Sequence, residues 1–469
     1  MDRALQIIKR FIPKKIFTMA WPLYHFLLGV TANLIYRWQS QKLIVIGVTG
    51  TTGKTTTTYL IASMLRGAGY KVGYTSTAMF SDGDKDWIND KKMTMVGRLF
   101  THKMLRQMLK NGCQYAIIET SSEGIVQYRH RFIDYDVVLI TGLYPEHIES
   151  HGSFDNYREA KGMLFSRLKD CKTKYTDDDK KVHKVEGIKK LSLNRVKKTI
   201  IVNANDQYAS YFASFWAEEK YAFSLRNEKV PGVFEEAVNR VVADISQTNT
   251  QRRLLINKTP ITVNMLGRFN LTNILAAATV GLSQGISLEK LKIGLEQISG
   301  VPGRLEKIEA GQSFSIIVDY AFEPHAVKRL YETINESEHG KIIHVLGSTG
   351  GGRDKSRRHI LGEIAGQMAD IVIVTDEDPY DENPSLIIEA VAQGALEAGK
   401  KRNLNLFTEL SRREAIHQAL SLAQANDVVL ITGKGSEQAI CRAKGKKEKW
   451  DDRTVCREEL ATILKTVDN

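Results

Sequence analysis

A glycine-rich loop at residues 48–57, VTGTTGKTTT, carries the residue types that bind phosphate groups. It follows an apolar run at 43–48 and precedes a segment at 55–68 whose pattern predicts a helix. Glycines let backbone N–H groups approach phosphate oxygens, and a helix N-terminus favours negative charge. Lys54 is placed to reach the terminal phosphates, and Thr55 to ligate Mg²⁺. The loop therefore predicts nucleotide phosphate binding, although Val48 stands where the strict pattern has glycine.

An acidic residue, Glu119, ends a second apolar run at residues 115–118. The carboxyl ends of parallel strands share one edge of a sheet, so this carboxylate is placed to hold Mg²⁺ beside the loop. Kinases, GTPases and motor ATPases carry the same kind of loop, so these residues predict a nucleotide site without naming a reaction. A surface glutamate on a loop is the alternative for Glu119.

The composition bounds the class of protein. A length of 469 residues predicts two or three domains, and 42% hydrophobic and 26% charged residues are typical of a globular chain. Four cysteines without a CxxC pair argue against a zinc ribbon or a disulfide scaffold and fit a reducing cytoplasm. The net charge is +12, and residues 1–42 alone hold seven basic side chains and one acidic one. This localised excess indicates a basic arm rather than a surface for nucleic acid.

The arm also contains an uncharged stretch at residues 16–36, IFTMAWPLYHFLLGVTANLIY. Its length is close to that of a membrane span. Three interpretations remain open: a helix pair packed on the next domain, an interfacial membrane anchor, or a true span. No small-residue cleavage site follows, so a signal peptide is not indicated.

The rest of the chain alternates between apolar strands and helices, which predicts an α/β fold with two doubly wound units. We expect a 1–42 arm, a 43–298 central phosphate-loop domain with a mostly parallel sheet, and a 299–469 C-terminal Rossmann-like domain. Residues 169–198, dense in Lys and Asp, are interpreted as a solvated excursion between elements. Further strands are predicted at 137–140, 199–202, 315–318, 342–346, 371–374, 404–407 and 428–431, and further helices at 324–334, 356–368, 384–398 and 412–424.

Nine further blocks follow the loop in order, and with it they resemble the Mur ligase family. The blocks lie at 117–131, 143–165, 267–277, 301–306, 318–330, 347–358, 376–384, 433–437 and 451–453. Within that family the chain is most similar to the enzymes that add the third residue of the peptidoglycan stem peptide. The resemblance covers residues 47–457.

The resemblance implies an ATP-dependent acid–amino-acid ligase that uses Mg²⁺. A carboxylate of a UDP-N-acetylmuramoyl-dipeptide would form an acyl phosphate, the amine of an amino acid would displace phosphate, and ADP and phosphate would leave. It further implies nucleotide-sugar peptide and amino-acid substrates, no nucleic acid partner, a monomer and a cytoplasmic location. Contact of residues 1–42 with the inner face of the membrane stays open.

The resemblance assigns catalytic roles to Lys54, Lys161 and His147, and a metal site to Thr55, Glu119, His147 and Lys161. It also implies that Lys161 is carbamylated; chemically, an amine must be partly neutral to capture CO₂. A solvated helix lysine and a structural histidine are the plain alternatives.

Ligand contacts are likewise carried over residue by residue. Because the nucleotide contacts come from two domains, the resemblance implies domain closure before chemistry. Surface ion pairs and tight turns are the alternatives for the arginines and for GGGRDK. The expected ATP contacts are Gly50, Thr51, Thr52, Gly53, Lys54, Thr55, Thr56, Asn270, Arg304 and Asp319. The expected substrate contacts are Thr94, Ser121, Gln127, Arg129, Arg353, Asp378, Tyr380, Gly433 and Glu437.

Three departures from the family pattern bear on the substrates. In enzymes that take meso-diaminopimelate the selectivity block reads Asp-Asn-Pro-Arg, and here residues 377–380 read EDPY, so lysine, ornithine or another diamino acid stays open. Thr52 and Gly142 replace two asparagines. Only about 42 residues precede the first strand, too few for the usual uridine-binding domain, so we expect the arm to make a reduced contact or the carrier end of the substrate to differ.

Two other functions compete with this prediction. One is another ligase of the superfamily, of the folylpolyglutamate or cyanophycin type. The other is a nucleotide-binding, membrane-associated scaffold without ligase activity. The presence of Lys54, Glu119, His147 and Lys161 argues against it, because a scaffold needs none of them.

Overall fold

The computed structural model describes residues 14–145, 151–185, 188–231, 234, 238–247, 252–352 and 354–467, without the side chains of 14–23, 177–193, 247 and 466–467. The chain forms two compact units. The first contains residues up to Trp87 together with Met93–Val263 and Thr272–Gln297. The second contains Ile88–Lys92, Asn264–Leu271 and the chain from Ile298 onward. Both units are therefore discontinuous in sequence.

The first unit is built on a mixed sheet that has eleven strands within the described residues, in the order β13-β12-β11-β10-β9-β6-β1-β5-β2-β3-β4. Adjacent strands from β11 to β2 in that order pair in parallel. Strand β3 is antiparallel to β2, and β12 is antiparallel to both β11 and β13. The strands are β1 Ile44–Thr49, β2 Val72–Thr75, β3 Met79–Ser81, β4 Asp86–Ile88, β5 Tyr115–Glu119, β6 Val137–Ile140, β9 Thr199–Asn203, β10 Glu219–Leu225, β11 Val238–Gln247, β12 Arg252–Ile256 and β13 Thr259–Val263, and β7 Lys174–Val185 and β8 Ile188–Val196 form a separate ribbon.

The register of the central strands brings the candidate site together. All six residues of β1 are buried, as expected for a parallel strand covered on both faces. Val48 pairs with Glu119 on one side, and Thr49 pairs with Ile140 on the other. The phosphate loop after β1 and the carboxylate at the end of β5 consequently lie at the same edge of the sheet.

Helices cover this sheet, and the first of them accounts for the apolar stretch of the arm. Of the three interpretations left open, packing on the following domain is confirmed, although residues 14–36 form one continuous helix and not a pair; this helix packs against Arg98–Lys110 and against Phe132. None of the described helices combines the length and apolar character that crossing a membrane requires. The helices are α1 Lys14–Tyr36, α2 Lys54–Gly67, α3 Arg98–Lys110, α4 Ser122–Val126, α5 Phe154–Ser166, α6 Ala209–Ala213, α7 Arg268–Ser283 and α8 Leu288–Glu296, with 3-10 turns at Gln39–Lys42 and Arg167–Asp170.

The solvated excursion predicted at residues 169–198 contains regular structure and two buried lysines, which the sequence did not indicate. Two antiparallel strands, β7 and β8, occupy most of this segment. Lys174, the first residue of β7, is buried, and its ammonium lies 2.5 Å from the carboxylate of Asp136. Lys198 binds the other oxygen of the same carboxylate at 2.7 Å. The composition did not indicate this burial, because lysines are usually exposed to solvent. Here the buried carboxylate at the start of β6 pairs with both of them.

The second unit is a smaller doubly wound sheet. Its six strands run in the order β14-β15-β19-β16-β17-β18 within the described residues, and all neighbours except β14 and β15 are parallel. The strands are β14 Glu306–Ile308, β15 Ser315–Asp319, β16 Ile342–Leu346, β17 Ile371–Thr375, β18 Leu406–Glu409 and β19 Val428–Thr432, with a hairpin of β20 Ala439–Cys441 and β21 Lys447–Lys449. The helices are α9 Pro324–Ile334, α10 Ser356–Met368, α11 Pro384–Glu397, α12 Arg412–Leu422 and α13 Asp452–Val467, with a 3-10 turn at Ala443–Gly445.

The predicted α/β class with two doubly wound sheets is confirmed. Each strand and helix predicted from an apolar run is present within about two residues of its expected limits. Apolar clusters lie on both faces of the second sheet, so its strands are continuous apolar runs.

Candidate functional site

Two glycines shape the phosphate loop. Gly50 has φ 145° and Gly53 has φ 78°, and Gly53 is the N-cap of α2. A Cβ at Gly53 would stand 2.5 Å from the side-chain oxygen of Asn273 on α7. Gly53 therefore has both a left-handed backbone and no room for a side chain, so the loop sequence requires glycine there.

Hydrogen bonds hold the loop in shape. Thr51 donates its N–H to the carbonyl of Gly142 at 2.8 Å, and its hydroxyl accepts from Tyr157 at 3.2 Å. The hydroxyl of Thr141 donates to the carbonyl of Thr52 at 2.6 Å. These contacts join the loop to the segment after β6, which fixes the position of its N–H groups.

Lys54 folds back over this loop. Its ammonium donates to the carbonyl of Thr51 at 2.6 Å. A bound phosphate would compete with that carbonyl for the ammonium, because anionic oxygens are the stronger acceptors. Lys54 therefore lies against the loop at which the sequence predicts that the nucleotide phosphates bind.

Glu119 is surrounded by hydroxyl and amide donors. The carboxylate is 1% exposed, and the hydroxyl of Thr55 lies 3.0 Å from both of its oxygens. Thr77 donates its N–H at 2.7 Å and its hydroxyl at 2.9 Å. Thr94 joins the network through a 3.0 Å bond with the hydroxyl of Thr77. Glu119 is therefore a buried carboxylate at the loop and not a surface side chain.

This arrangement fits a magnesium ion. Mg²⁺ takes one or two protein oxygens and completes its shell with water and substrate phosphates. Thr55 and Glu119 supply one hydroxyl and one carboxylate at one point of the loop. Among the described residues no group of three or more His, Cys, Asp or Glu side chains is arranged to hold a metal by itself. His147, predicted as a further ligand, lies outside the described residues.

Lys161 lies deep beneath the loop. It is 1% exposed, and its ammonium donates to the carbonyl of Gly50 at 2.8 Å. The same group stands 4.7 Å from the ring centroid of Tyr157. The alternative of a solvated helix lysine is excluded by this burial.

A histidine that the sequence did not single out lies close to this lysine. The ring of His151 is 5.2 Å from that of Tyr157, and its Nε2 is 3.0 Å from the hydroxyl of Ser122. Burial and then the charge of Lys161 lower the pKa of His151, so the imidazole is neutral at physiological pH. The only signal for it was its place in the same block as His147.

The predicted substrate contacts of the first unit surround α4. Ser121 caps this helix by accepting from the N–H of Gly124 at 3.2 Å. The side-chain oxygen of Gln127 accepts from Arg129 at 2.6 Å, and Arg129 also donates to the carbonyl of Met95. Because Met95 follows Thr94, the four predicted contacts lie along one connected stretch of the unit.

In the second unit, two predicted nucleotide contacts are neighbours. The guanidinium of Arg304 stacks on Tyr320 at 4.2 Å from the ring centroid. Asp319 accepts from the N–H groups of Leu305 and Ala321, both at 2.7 Å. Burial raises the pKa of Asp319, and the charge of Arg304 opposes that rise. Both side chains are thus held by their own unit.

Helix α7 carries two asparagines that divide between the units. Asn270, the predicted residue, belongs to the second unit and donates to the carbonyl of Leu266 at 2.7 Å. Asn273 belongs to the first unit and accepts from the hydroxyl of Thr57 at 3.3 Å. Asn273 was not predicted from the sequence, although it stands one turn after Asn270 in the same block.

A buried cluster of two lysines and two carboxylates occupies the second unit. Lys434 is fully buried and binds Asp378 at 2.9 Å and Glu437 at 2.5 Å. Lys92 binds Asp378 at 2.9 Å and Glu437 at 3.0 Å. Burial alone would raise the pKa of Asp378, but Lys434 and Lys92 outweigh it and lower the pKa. Asp378 and Glu437, both predicted to bind the amino acid, therefore bind the same two ammonium groups.

Lys92 was not predicted, and it reaches this cluster from the short segment Ile88–Lys92. Its ammonium also donates to the carbonyl of Ala439 at 2.7 Å, and its φ of 53° is left-handed. Burial opposes its charge, but Glu437 and Asp378 raise its pKa well above the usual range. No sequence pattern marked this lysine among its charged neighbours.

The other predicted amino-acid contacts flank the cluster. Tyr380 has φ 52° and donates its N–H to the carbonyl of Cys441 at 3.1 Å. Gly433 has φ 104°, and a Cβ there would stand 2.5 Å from Oε2 of Glu377. Arg353 lies outside the described residues.

Two models of one protein family match successive parts of the chain. Residues 48–281 match the Mur ligase middle domain, and 303–435 match the Mur ligase, glutamate ligase domain. Over 443 residues the chain is 32% identical to the UDP-N-acetylmuramyl-tripeptide synthetase of Roseiflexus sp. (strain RS-1), covering 93% of this chain and 82% of that relative.

A second relative and a solved structure extend the comparison. The chain is 32% identical to the UDP-N-acetylmuramoyl-L-alanyl-D-glutamate--2,6-diaminopimelate ligase of Clostridium tetani (strain Massachusetts / E88), covering 93% of this chain and 81% of the relative. A solved structure of a ligase with that same name shares the fold, with a TM-score of 0.55 and 24% identity over 90% of this chain and 79% of the other.

Proposed function

The chain belongs to the Mur ligase family of ATP-dependent, amide-bond-forming enzymes, and we propose that it adds an amino acid to a UDP-N-acetylmuramoyl-dipeptide. The observation that carries this proposal is the pairing of Thr55 with the buried Glu119 at the end of a phosphate loop. The names of the two relatives above, both ligases of muramoyl peptides, support the choice of substrate.

The residues of the first unit serve the phosphoryl-transfer step. A substrate carboxylate attacks the γ-phosphorus of ATP, ADP leaves, and the acyl phosphate keeps the transferred group. Lys54 and the loop N–H groups hold the phosphates, and Thr55 with Glu119 would hold Mg²⁺, which screens their charge when bound. The incoming amine then attacks the acyl carbon, phosphate leaves, and the amine loses a proton.

Lys161 carries the second part of the proposal. We propose that CO₂ adds to its amine to form a carbamate beneath the loop, with loss of a proton. A buried amine loses part of its preference for the charged form, which makes the nucleophilic neutral amine accessible. The neighbouring His151, whose lowered pKa favours the neutral imidazole, would donate its ring N–H to an oxygen of that carbamate.

Labelled bicarbonate tests the carbamate. The intact protein in ¹³C-bicarbonate is expected to show a carbamate carbon resonance that is lost in Lys161→Ala, and acetate is expected to restore part of the activity of that variant. Absence of the resonance, together with an unchanged rate in Lys161→Ala, would contradict this role.

The cluster around Asp378 bears on the amino acid. An ammonium already sits there: Lys92 is bound by two carboxylates and a backbone carbonyl. We propose that the added amino acid carries a second ammonium group, which takes the place of Lys92 beside Asp378 and Glu437. Tyr380 stands where relatives that take diaminopimelate carry arginine, so a distal carboxylate has no matching guanidinium at that position.

A phosphate-release assay over a set of amino acids tests the function. With ATP and the muramoyl dipeptide, we expect lysine and ornithine to stimulate release more than meso-diaminopimelate or alanine. Lys54→Met is expected to lower kcat by about 10²–10³-fold, because it removes charge stabilisation of the transferred phosphoryl group. Asp378→Asn is expected to raise the KM for the amino acid, and Asp381→Asn, on an exposed neighbour, serves as the matched control.

The assay also has outcomes that contradict the proposal. If no amino acid stimulates release, the ligase substrate is wrong, and stimulation by glutamate with a folate would favour a folylpolyglutamate-type enzyme. If meso-diaminopimelate is preferred over lysine and ornithine, the ligase assignment stands and the ammonium argument fails.

A further inference from the structure

A buried arginine with two unpaired guanidinium nitrogens lies beneath α1. Arg98, the first residue of α3, is 6% exposed, and its Nε and Nη2 are buried without a hydrogen-bond partner in the described part of the chain. Its stem lies against Gly29 of α1, where a Cβ would stand 3.6 Å from Cδ of the arginine. An unpaired buried guanidinium is strongly unfavourable, so this position favours an anion, which the described residues do not supply to Nε and Nη2.

A second guanidinium, that of Arg129, lies near enough to lower the pKa of Arg98. Arg129 donates to the carbonyl of Met95, three residues before Arg98. Burial, and then the charges of Arg98 and Arg129, lower the pKa of His25 on α1 to about 4. Burial and the charge of Arg129 lower the pKa of Arg98 to about 10. The charges of both arginines therefore act on His25, and that of Arg129 acts on Arg98.

In the described part of the chain, no buried acidic group is among those that act on Arg98 and Arg129. Within the described residues, the group that opposes the shift at Arg98 is a tyrosine, Tyr24, and the group that opposes it at Arg129 is Glu123, whose side chain is exposed. Burial chiefly lowers the pKa of His130 to about 3, and the charge of Arg98 contributes to the same shift. Apart from the exposed carboxylate of Glu123, the described groups that act on the two guanidiniums are thus cationic or neutral.

The N-terminus of α3 adds to the same field. This 13-residue helix begins at Arg98 after Gly97, which makes no side-chain cap, and its first turn contains no acidic residue. Its first backbone N–H groups therefore have no carboxylate or hydroxyl cap from the cap position. The partial positive charge of a helix N-terminus favours an anion at this position.

We propose that Arg98 and Arg129, at the N-terminus of α3, bind a phosphate or diphosphate group. Two guanidiniums match the two or more charges of a diphosphate better than the single charge of a carboxylate. Arg129 also contacts Gln127, which ties this anion site to the predicted substrate contacts. The anion site stands on its own, and its assignment to the carrier portion of the muramoyl substrate rests on the proposed function. The carrier can be a nucleotide or a lipid, and the two share this diphosphate chemistry.

Pyrophosphate binding tests the site without any turnover. The full chain is first saturated with ADP and Mg²⁺ so that the phosphate loop is filled, and its melting temperature is followed as pyrophosphate is added. We expect pyrophosphate to stabilise the natural chain and Arg106→Met, a control on the exposed face of α3, with about tenfold or more weaker binding in Arg98→Met.

The melting temperature without ligand separates a binding role from a structural one. Arg98→Met removes an unpaired buried charge and keeps the apolar stem, so the variant is expected to melt no lower than the natural chain. A lower melting temperature together with unchanged pyrophosphate binding would overturn the proposal, because Arg98 would then serve packing alone.

Two further probes distinguish the sources of the diphosphate. UDP-N-acetylglucosamine presents it in solution, and phosphatidylcholine vesicles containing a polyprenyl diphosphate present it on a surface. Arg98-dependent binding of either probe supports the site and names the carrier class, and Arg98-independent behaviour in both overturns it. Since these are binding measurements, a failure of the ligase assay leaves their result unaffected.

Discussion

Glu377 is a buried acid whose ionisation opposes folding of the second unit. Its side chain is 3% exposed, and Oε2 is buried without a hydrogen-bond partner within the described residues. Burial raises the pKa of Glu377 from 4.5 to about 7, although Lys434 and Arg412 partly offset the rise. We therefore predict that Glu377→Gln, which keeps the shape and removes the charge, stabilises the unit at alkaline pH.

The sign and size of this effect follow from proton linkage. Between pH 4.5 and about 7 the folded state of Glu377 holds a proton that the unfolded chain has lost. The stability that the group contributes is therefore fully present below 4.5 and is lost as the pH rises to about 7. A tenfold difference in proton affinity between the folded and unfolded states corresponds to about 1.4 kcal/mol, so the loss totals about 3 kcal/mol.

Calorimetric unfolding at about pH 5 and about pH 8 measures this difference. The gain of Glu377→Gln over the natural chain is expected to grow by about 2.5 kcal/mol between the two conditions, or about 5–10 °C in melting temperature. The glutamine amide also lacks a partner for one atom, and that constant contribution cancels in the comparison between pH values.

Glu382 offers a matched control of opposite sign. Hydrogen bonds and charge from Arg358 lower the pKa of Glu382, so Glu382→Gln should bring no gain at alkaline pH. A gain of Glu377→Gln that is equal at both pH values would refute the reasoning, because the effect would then be packing and not ionisation.

Three other substitutions or reagents probe the packing. Asp136→Asn leaves two buried ammonium groups without their carboxylate and is expected to cost about 3–5 kcal/mol in urea unfolding, whereas Asp90→Asn, at an exposed pair, should be near neutral. Gly362→Ala would drive a Cβ into a backbone carbonyl of α11 and should lower stability by about 1–3 kcal/mol; an unchanged melting curve would show that the two helices can separate. Burial raises the pKa of Cys113 and Cys171 to about 11, so thiol reagents should label them only after denaturant is added, and prompt labelling would contradict their burial.

The sequence predicted the elements whose signal is local. Parallel strands such as β1 and β19 are continuous apolar runs because both faces are covered, and their limits were found within about two residues. The ribbon of β7 and β8 was missed because its lysines and aspartates indicate solvent, whereas Lys174 is buried against Asp136. Pairing between charged residues distant in sequence leaves no local pattern.

The candidate site divides in the same way. The loop and Glu119 were predictable because motif, strand and helix stand together in the chain. Asn273, His151 and Lys92 were not, because their roles depend on which residues the fold brings near them. Arg98 shows the same limit: its burial without a partner is visible only when α1 is seen to cover α3.

The contact between Lys92 and Asp378 has a consequence for biosynthesis. The two residues are separated by 286 positions in the chain. At ribosomal rates of about 5–20 residues per second, Asp378 is made roughly 15 s to one minute after Lys92. During that interval the segment Ile88–Lys92 belongs to a unit that does not yet exist. The second unit can therefore complete its charge pairing only at the end of translation, and a fragment that begins at Ile298 would leave two buried carboxylates to share the single ammonium of Lys434.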